Sequence, residues 1–308
     1  MRVIPLAAES LGVRSMATYV EVGDVAILID PGATLAPARY GLPPADAEWQ
    51  ALRRANDRIS AYAARANLIF VSHYHEDHYR SDPAIYAGRT VIAKEPRRMV
   101  GGQQSRRGVA LWTALAGAAK LEAADGWRRR EPQVELSVSP PLPHGVEGTP
   151  LGYVVALTVV DVAERERFVF ASDVHGPLSA VAVGWLIQQR PTLLYLSGPP
   201  SYIEREMPEG SIDRGIDHLR RVMDATGCRV IMDHHALRDP AFASRFERLW
   251  STGRVVTAAA HLGMETQALE ARRRVLWGDV RKAPVPARPS GAIISRTPRT
   301  FARRGNAE

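Results

Sequence analysis

The chain has 308 residues, of which 45% are hydrophobic and 24% charged, so it carries enough apolar side chain to bury a large core and too much to stay unfolded. No apolar run is long enough to span a bilayer, and Val3 to Ala8, closed by Glu9, is too short for a signal-peptide core. The single cysteine, Cys228, excludes an internal disulfide and agrees with a reducing cytoplasm, while a formal net charge of +7 keeps nucleic acid open as a partner.

Taken from the N-terminus, Ser15 to Val22 and Val25 to Ile29 are β-rich runs joined by Gly23-Asp24, a connection suited to a tight hairpin. Trp49, Leu52, Ile59 and Tyr62 then recur at near-helical spacing, which predicts a helix before the apolar strand Leu68 to Val71. That strand runs into Ser72-His73-Tyr74-His75-Glu76-Asp77-His78, three imidazoles and two carboxylates in one short stretch. Alternation in an extended segment points His73 and His75 the same way, so both can grip one ion. Once the chain curls out of the strand, Asp77 and His78 can turn toward a second ion, supplying a hard oxygen and a borderline nitrogen.

The order His-x-His-x-Asp-His at His73, His75, Asp77 and His78 resembles the signature of the metallo-beta-lactamase-fold hydrolases. A helical His-Glu-x-x-His zinc site is excluded, because His75 and His78 are three residues apart rather than four. The resemblance implies a four-layer αββα sandwich and further ligands at later strand ends. His144 in Pro143-His144-Gly145, after the strand Val134 to Val138, would complete the first metal. Asp173, after Arg167 to Ala171, would bridge the two ions, and His234, after Arg229 to Met232, would complete the second. Asp30, in Asp30-Pro31-Gly32, either orients an imidazole from behind or only caps a turn. The similarity reaches to about residue 262 and is greatest to an uncharacterised prokaryotic branch.

The rest of the chain fits that architecture. Val109 to Leu121 reads as a helix, and Gly152 to Val162 with Arg167 to Ala171 as a hairpin. Helices from about Ser179, over Ile212 to Thr226 and near Phe242 to Trp250 alternate with strands at Leu193 to Leu196, Arg229 and Val255 to Thr257. His175, two residues past Asp173, is a candidate substrate contact or proton donor. Strand alternation sends His234 and His235 in opposite directions, so one binds metal; His234 is the choice, with His235 packed or hydrogen-bonded behind it. Cys228 lies several residues short of that ligand and reads as a small buried filler.

The domain is expected to span residues 1–280, with a basic, unstructured tail over 281–308, where Arg281-Lys282, Arg296, Arg299 and Arg303-Arg304 sit among Pro, Ala, Ser and Gly. The implied chemistry is hydrolysis by a metal-bound hydroxide at a dinuclear site, with Asp77 and Asp173 in direct catalytic roles. Nitrogen-rich ligation favours zinc, and the carboxylates would admit manganese or iron. Basic groups such as Arg97-Arg98, Arg106-Arg107 and Arg128-Arg129-Arg130 favour a phosphodiester or nucleic acid as substrate, with a lactone or thioester as the alternative. A non-catalytic protein that binds metal and nucleic acid is the competing class. No membrane partner is expected, and the sequence leaves the oligomeric state open.

Overall fold

The computed structural model describes residues 1–280; the expected tail over 281–308 lies outside the described residues. Strands β1 (Arg2–Pro5), β2 (Thr18–Val22), β3 (Val25–Ile29), β4 (Leu68–Val71), β5 (Thr90–Ala93) and β6 (Lys120–Ala123) form one sheet in that order. The hairpin β2–β3 is antiparallel, and β3 through β6 run parallel. A second, seven-stranded sheet contains β7 (Arg128–Arg130), β8 (Val134–Val138), β11 (Leu157–Asp161), β12 (Glu166–Ser172), β13 (Leu193–Ser197), β14 (Arg229–Asp233) and β15 (Val255–Val256). Its strands β12 to β15 are parallel, and a separate antiparallel pair, β9 (Leu142–Pro143) with β10 (Tyr153–Val154), lies outside it.

Side-chain alternation sorts each buried strand between two cores. In β4, Leu68 and Phe70 face a core shared with Phe168 and Phe170 of β12 and Ile231 of β14, so the two sheets pack face to face. Ile69 and Val71 face outward onto helix α1 (Asp46–Ala63), through Ala51, Ala55 and Ile59, and onto α2 (Gly102–Leu115), through Leu111 and Leu115. On the far side, Val169, Leu194, Val230 and Met232 pack against α3 (Ala180–Gln189) and α4 (Ser211–Thr226), through Leu186, Ile216 and Leu219. The result is four layers, helix, sheet, sheet, helix. No helix among the described residues is long and apolar enough to cross a membrane.

Several elements depart from the sequence reading. The helix expected over Val109 to Leu121 runs instead from Gly102 to Leu115, where Gly117, with φ of +78°, turns the chain into β6. Strand β5 carries no alternation because both its faces are covered, Ile92 by the second sheet and Val91 by the helices, while β6 is a short, partly exposed edge strand. The basic run Arg128–Arg130 is the exposed edge strand β7, where charge discourages pairing with another chain. The expected helix near Phe242 to Trp250 is broken at Phe246 into two single turns.

The helix Arg273–Val280 returns the chain to α1 through a buried pair. Arg273 donates from Nε and Nη2 to the two oxygens of Glu48, at 2.8 and 2.7 Å, with both side chains fully buried. Arg273→Met would leave the Glu48 carboxylate buried without its partner, at a cost of about 3 kcal/mol. A lowered urea-denaturation midpoint is the expected result; an unchanged midpoint would show that this return contributes nothing to stability.

Candidate metal centre

The site gathers at the carboxyl ends of the parallel strands, where both sheets deliver their loops to one place. β3 runs into Asp30 and β4 into Ser72, while β12 ends at Ser172 and β14 at Asp233. Asp30, Ser172, His175 and His234 all take left-handed backbone angles, φ 45 to 59°, half of the eight such non-glycine residues among those described. Such conformations cost free energy and persist only where the surroundings hold them, and here they turn strand ends inward. Gly32 permits the close approach of this layer: a Cβ there would lie 2.6 Å from the His78 amide nitrogen. Gly145 likewise admits the ring of His175.

Asp173 stands at the centre. Its Oδ2 lies 3.6, 3.3, 3.4 and 3.8 Å from the Nε2 atoms of His73, His78, His144 and His235, and its Oδ1 lies 3.7 Å from Nε2 of His234. Nδ1 of His75 lies 3.2 Å from Nε2 of His73. His73, His75, His144 and Asp173 thus converge as one donor group, and Asp77, His78 and His234 as a neighbouring one, with Oδ2 of Asp77 3.5 Å from Nε2 of His234. Asp173, His234 and His235 form a third such cluster.

Groups behind these side chains fix which ring nitrogen faces inward. Nδ1 of His78 is 2.8 Å from Oδ2 of Asp30, and Nδ1 of His234 is 2.7 Å from Oε2 of Glu9, so each donates there and turns Nε2 toward the centre. Nδ1 of His73 is 2.9 Å from the Ser72 hydroxyl, which in turn donates to Asp30 at 2.6 Å. Asp30 therefore stands where a group behind the ligands is expected, and it caps the chain as well, since it accepts the Ser72 amide at 2.7 Å.

Burial, reinforced by crowding among imidazoles, holds His73 well below the usual histidine range and lowers His75 to about 4. Burial also keeps His175 and His235 well below that range. These rings are neutral at neutral pH, the form that binds metal. His78 behaves oppositely: burial lowers its pKa, but the carboxylates of Asp173, Asp30 and Asp77 outweigh that and raise it well above the usual range. Asp77 and Asp173 are held below the usual carboxylate range, because the surrounding histidines overcome the effect of burial.

This donor set fits a divalent ion. Nε2 of His78 and Nε2 of His234 face each other at 3.3 Å, each already oriented by a carboxylate at Nδ1, and among the described residues the buried Oδ1 of Asp173 has no hydrogen-bond partner. Such a cluster of inward acceptors is satisfied by a cation.

The expectation that His234 and His235 point apart does not hold. The strand ends at Asp233, and the left-handed His234 opens a 3-10 turn, His234–Arg238, so both rings face Asp173. His144 also lies on a different element from the one expected, following β9 rather than β8. His175 packs edge-on against His144 and His235, and Cys228 is buried, which pushes its thiol pKa up. Sequence reasoning missed Glu9 and the contacts of Arg238. Arg238 donates from Nε to Oε1 of Glu9 at 2.6 Å and from Nη2 to Oδ2 of Asp77 at 3.0 Å. The available signal was a lone acid, Glu9, in the apolar run Pro5 to Leu11.

Above the donors opens a cavity of about 360 Å³, lined by His75, His144, His175, His235 and Tyr202 among others. That volume suits a small ligand. Arg14, Arg107 and Arg238 also line it, each paired with a carboxylate, Glu270, Glu76 and Glu9 respectively.

No family model matches the sequence. The four-layer fold is that of the metallo-beta-lactamase superfamily; it is similar to Tm1679, described as a metal-dependent hydrolase of the beta-lactamase superfamily, with a TM-score of 0.50 and 12% identity over 83% of this chain and 95% of that one. Within that class, the chain belongs to the UPF0282 family. It is 42% identical to the UPF0282 protein of Thermococcus gammatolerans over 290 residues, covering 90% of this chain and 95% of the relative. The corresponding protein of Methanopyrus kandleri is 37% identical over 296 residues, 91% of this chain and the whole of the relative.

Asp30→Ala would remove the acceptor of the Ser72 amide, the Ser72 hydroxyl and His78 Nδ1 together. Zinc affinity, measured by competition with a chromophoric chelator, should fall roughly 10- to 100-fold. Unchanged affinity would mean that Asp30 serves the turn alone.

Proposed function

We propose that this protein is a metal-dependent hydrolase acting on a small anionic substrate, with a phosphodiester preferred. The observation that carries the reading is the convergence of Asp173 with the inward ring nitrogens of His73, His78, His144 and His234 beneath a cavity of small-molecule size. His73, His75 and His144 would hold one ion and Asp77, His78 and His234 another, with Asp173 shared. Zinc is the expected metal, since nitrogen donors predominate. Divalent ions so bound supply an acidified water and electrostatic stabilisation of negative charge on the reacting group.

The chain's own residues account for the rest. Asp30 and Glu9 lock the tautomers of His78 and His234, so the donors need not reorganise on binding. His175 lines the cavity beside His144, as a polar wall for substrate. The arginines lining the cavity are each paired with a carboxylate, which leaves little free positive charge for a long polyanion and points to a compact substrate. Tyr202, whose ring is inclined 29° to that of His235 with centroids 6.4 Å apart, gives the cavity an aromatic wall. A cytoplasmic setting, where Cys228 would stay reduced, suits this reading.

A screen of zinc- and manganese-loaded protein against bis-p-nitrophenyl phosphate, a lactone, a thioester and short RNA tests it. Turnover of the phosphodiester is expected, with loss of about 100-fold or more and loss of metal in His73→Ala. Turnover of the lactone or thioester alone would replace the substrate class, and absence of bound metal would sink the whole reading.

The two adjacent histidines separate by the same assay. His234→Ala should lose binding of the ion that the Asp77–His78–His234 group would hold, read by zinc titration, and nearly all turnover, because it removes a donor that Glu9 holds in place. His235→Ala should keep its metal and lose turnover in part. Metal analysis decides between them: an ion lost from His235→Ala and kept in His234→Ala reverses the assignment.

A further inference from the structure

The donor group of Asp77, His78 and His234 already faces a cation that belongs to the protein. Arg238 is 4% exposed and lies at the end of the turn that carries His234 and His235. Its Nη2 stands 3.0 Å from Oδ2 of Asp77 and 3.1 Å from Nε2 of His234. These two acceptors are themselves 3.5 Å apart and are the atoms that would close on an ion. The guanidinium is tethered, since its Nε donates to Oε1 of Glu9 at 2.6 Å while the other oxygen of Glu9 holds His234. The group of His73, His75, His144 and Asp173 differs in this respect. Among the described residues, Asp173 is paired with histidines alone and with no arginine or lysine.

We propose that Arg238 makes the two donor groups unequal: the first holds one ion firmly, and the second accepts an ion only when the guanidinium gives up Asp77 and His234. The inference rests on the metal-centre reading above. A divalent ion between Asp77 and His234 would meet like charge at hydrogen-bonding distance, in a buried setting where repulsion is weakly screened. Arg238 has somewhere to go while keeping its tie to Glu9. Its Nη1 lies 3.3 Å from the Tyr202 hydroxyl, and the Tyr202 ring centroid is 5.8 Å from the guanidinium carbon, at the wall of the cavity. Occupancy of the second group is thereby coupled to the position of a positive charge facing the substrate.

Zinc titration of chelator-stripped full-length protein by calorimetry, with metal counted after gel filtration, tests this. Wild type should bind one ion tightly and a second at least about tenfold more weakly, and should carry close to one ion off the column. Arg238→Met should tighten the second ion about tenfold or more and bring the count toward two. Because that change leaves an oxygen of Glu9 without its partner, Glu9→Gln/Arg238→Met is measured beside it; the glutamine carbonyl can still accept from His234 Nδ1. Two ions of equal affinity in wild type would overturn the proposal and leave the metal centre standing. Second-ion affinity unchanged in the folded variants would do the same, whereas no zinc in wild type would overturn both.

Discussion

The Asp30 carboxylate is the constraint on which the centre depends. It accepts hydrogen bonds from the Ser72 amide, the Ser72 hydroxyl and His78 Nδ1, each at 2.8 Å or less, and a longer one from the Ser172 hydroxyl at 3.4 Å. Ser72 in turn meets the hydroxyl of Ser172 at 2.7 Å, across from the other sheet, so one buried acid joins the ends of β3, β4 and β12. Hydrogen bonds to a charged group are stronger than neutral ones, and with no exposure to water this group has no competing partner. The spacing between the two halves of the donor set is therefore fixed by polar contacts rather than by the apolar cores below.

Those cores have to support an electrostatic arrangement that does not favour folding by itself. Glu9, Asp30, Asp77 and Asp173 lie close together with little access to water, opposed by Arg238 and by imidazoles of which most are held neutral. Desolvating such groups generally costs more than their mutual attraction returns. The raised pKa of His78 shows the same excess of negative charge: the carboxylates around it favour the ring that carries an extra proton. A positive charge is called for at this position whatever supplies it.

Much of this was legible in the chain. The strand Leu68 to Val71 with its run of histidines, and the strands leading to Asp173 and His234, are continuous apolar runs closed by polar ligands, a pattern that a single sequence displays. Strands β5 and β6 were not legible, because Thr90–Ala93 and Lys120–Ala123 offer only one or two strongly apolar residues each and no ligand at their ends. The direction of His235 was hidden for a different reason. Alternation holds only while the strand continues, and nothing in Asp233-His234-His235 announces that a left-handed histidine ends it. Glu9 was invisible as a site residue because its partner is 229 positions away, and only the folded chain brings the two together.

That separation bears on when the centre can exist during synthesis. Asp30 meets Ser172 across 142 positions, His78 meets His234 across 156, and Glu9 meets Arg238 across 229. Closing such loops is entropically slow, and contacts this remote form only when most of the chain has left the ribosome. A nascent chain displays His73, His75 and His78 long before their partners emerge; if the centre binds metal as proposed, those three alone would make a loose peptide chelator that exchanges ions quickly. Discrimination among metals then falls to the finished fold and to the free-ion levels around it, so the metal found in a purified sample reports the host's ion pool at the end of folding more than the order in which ligands were made.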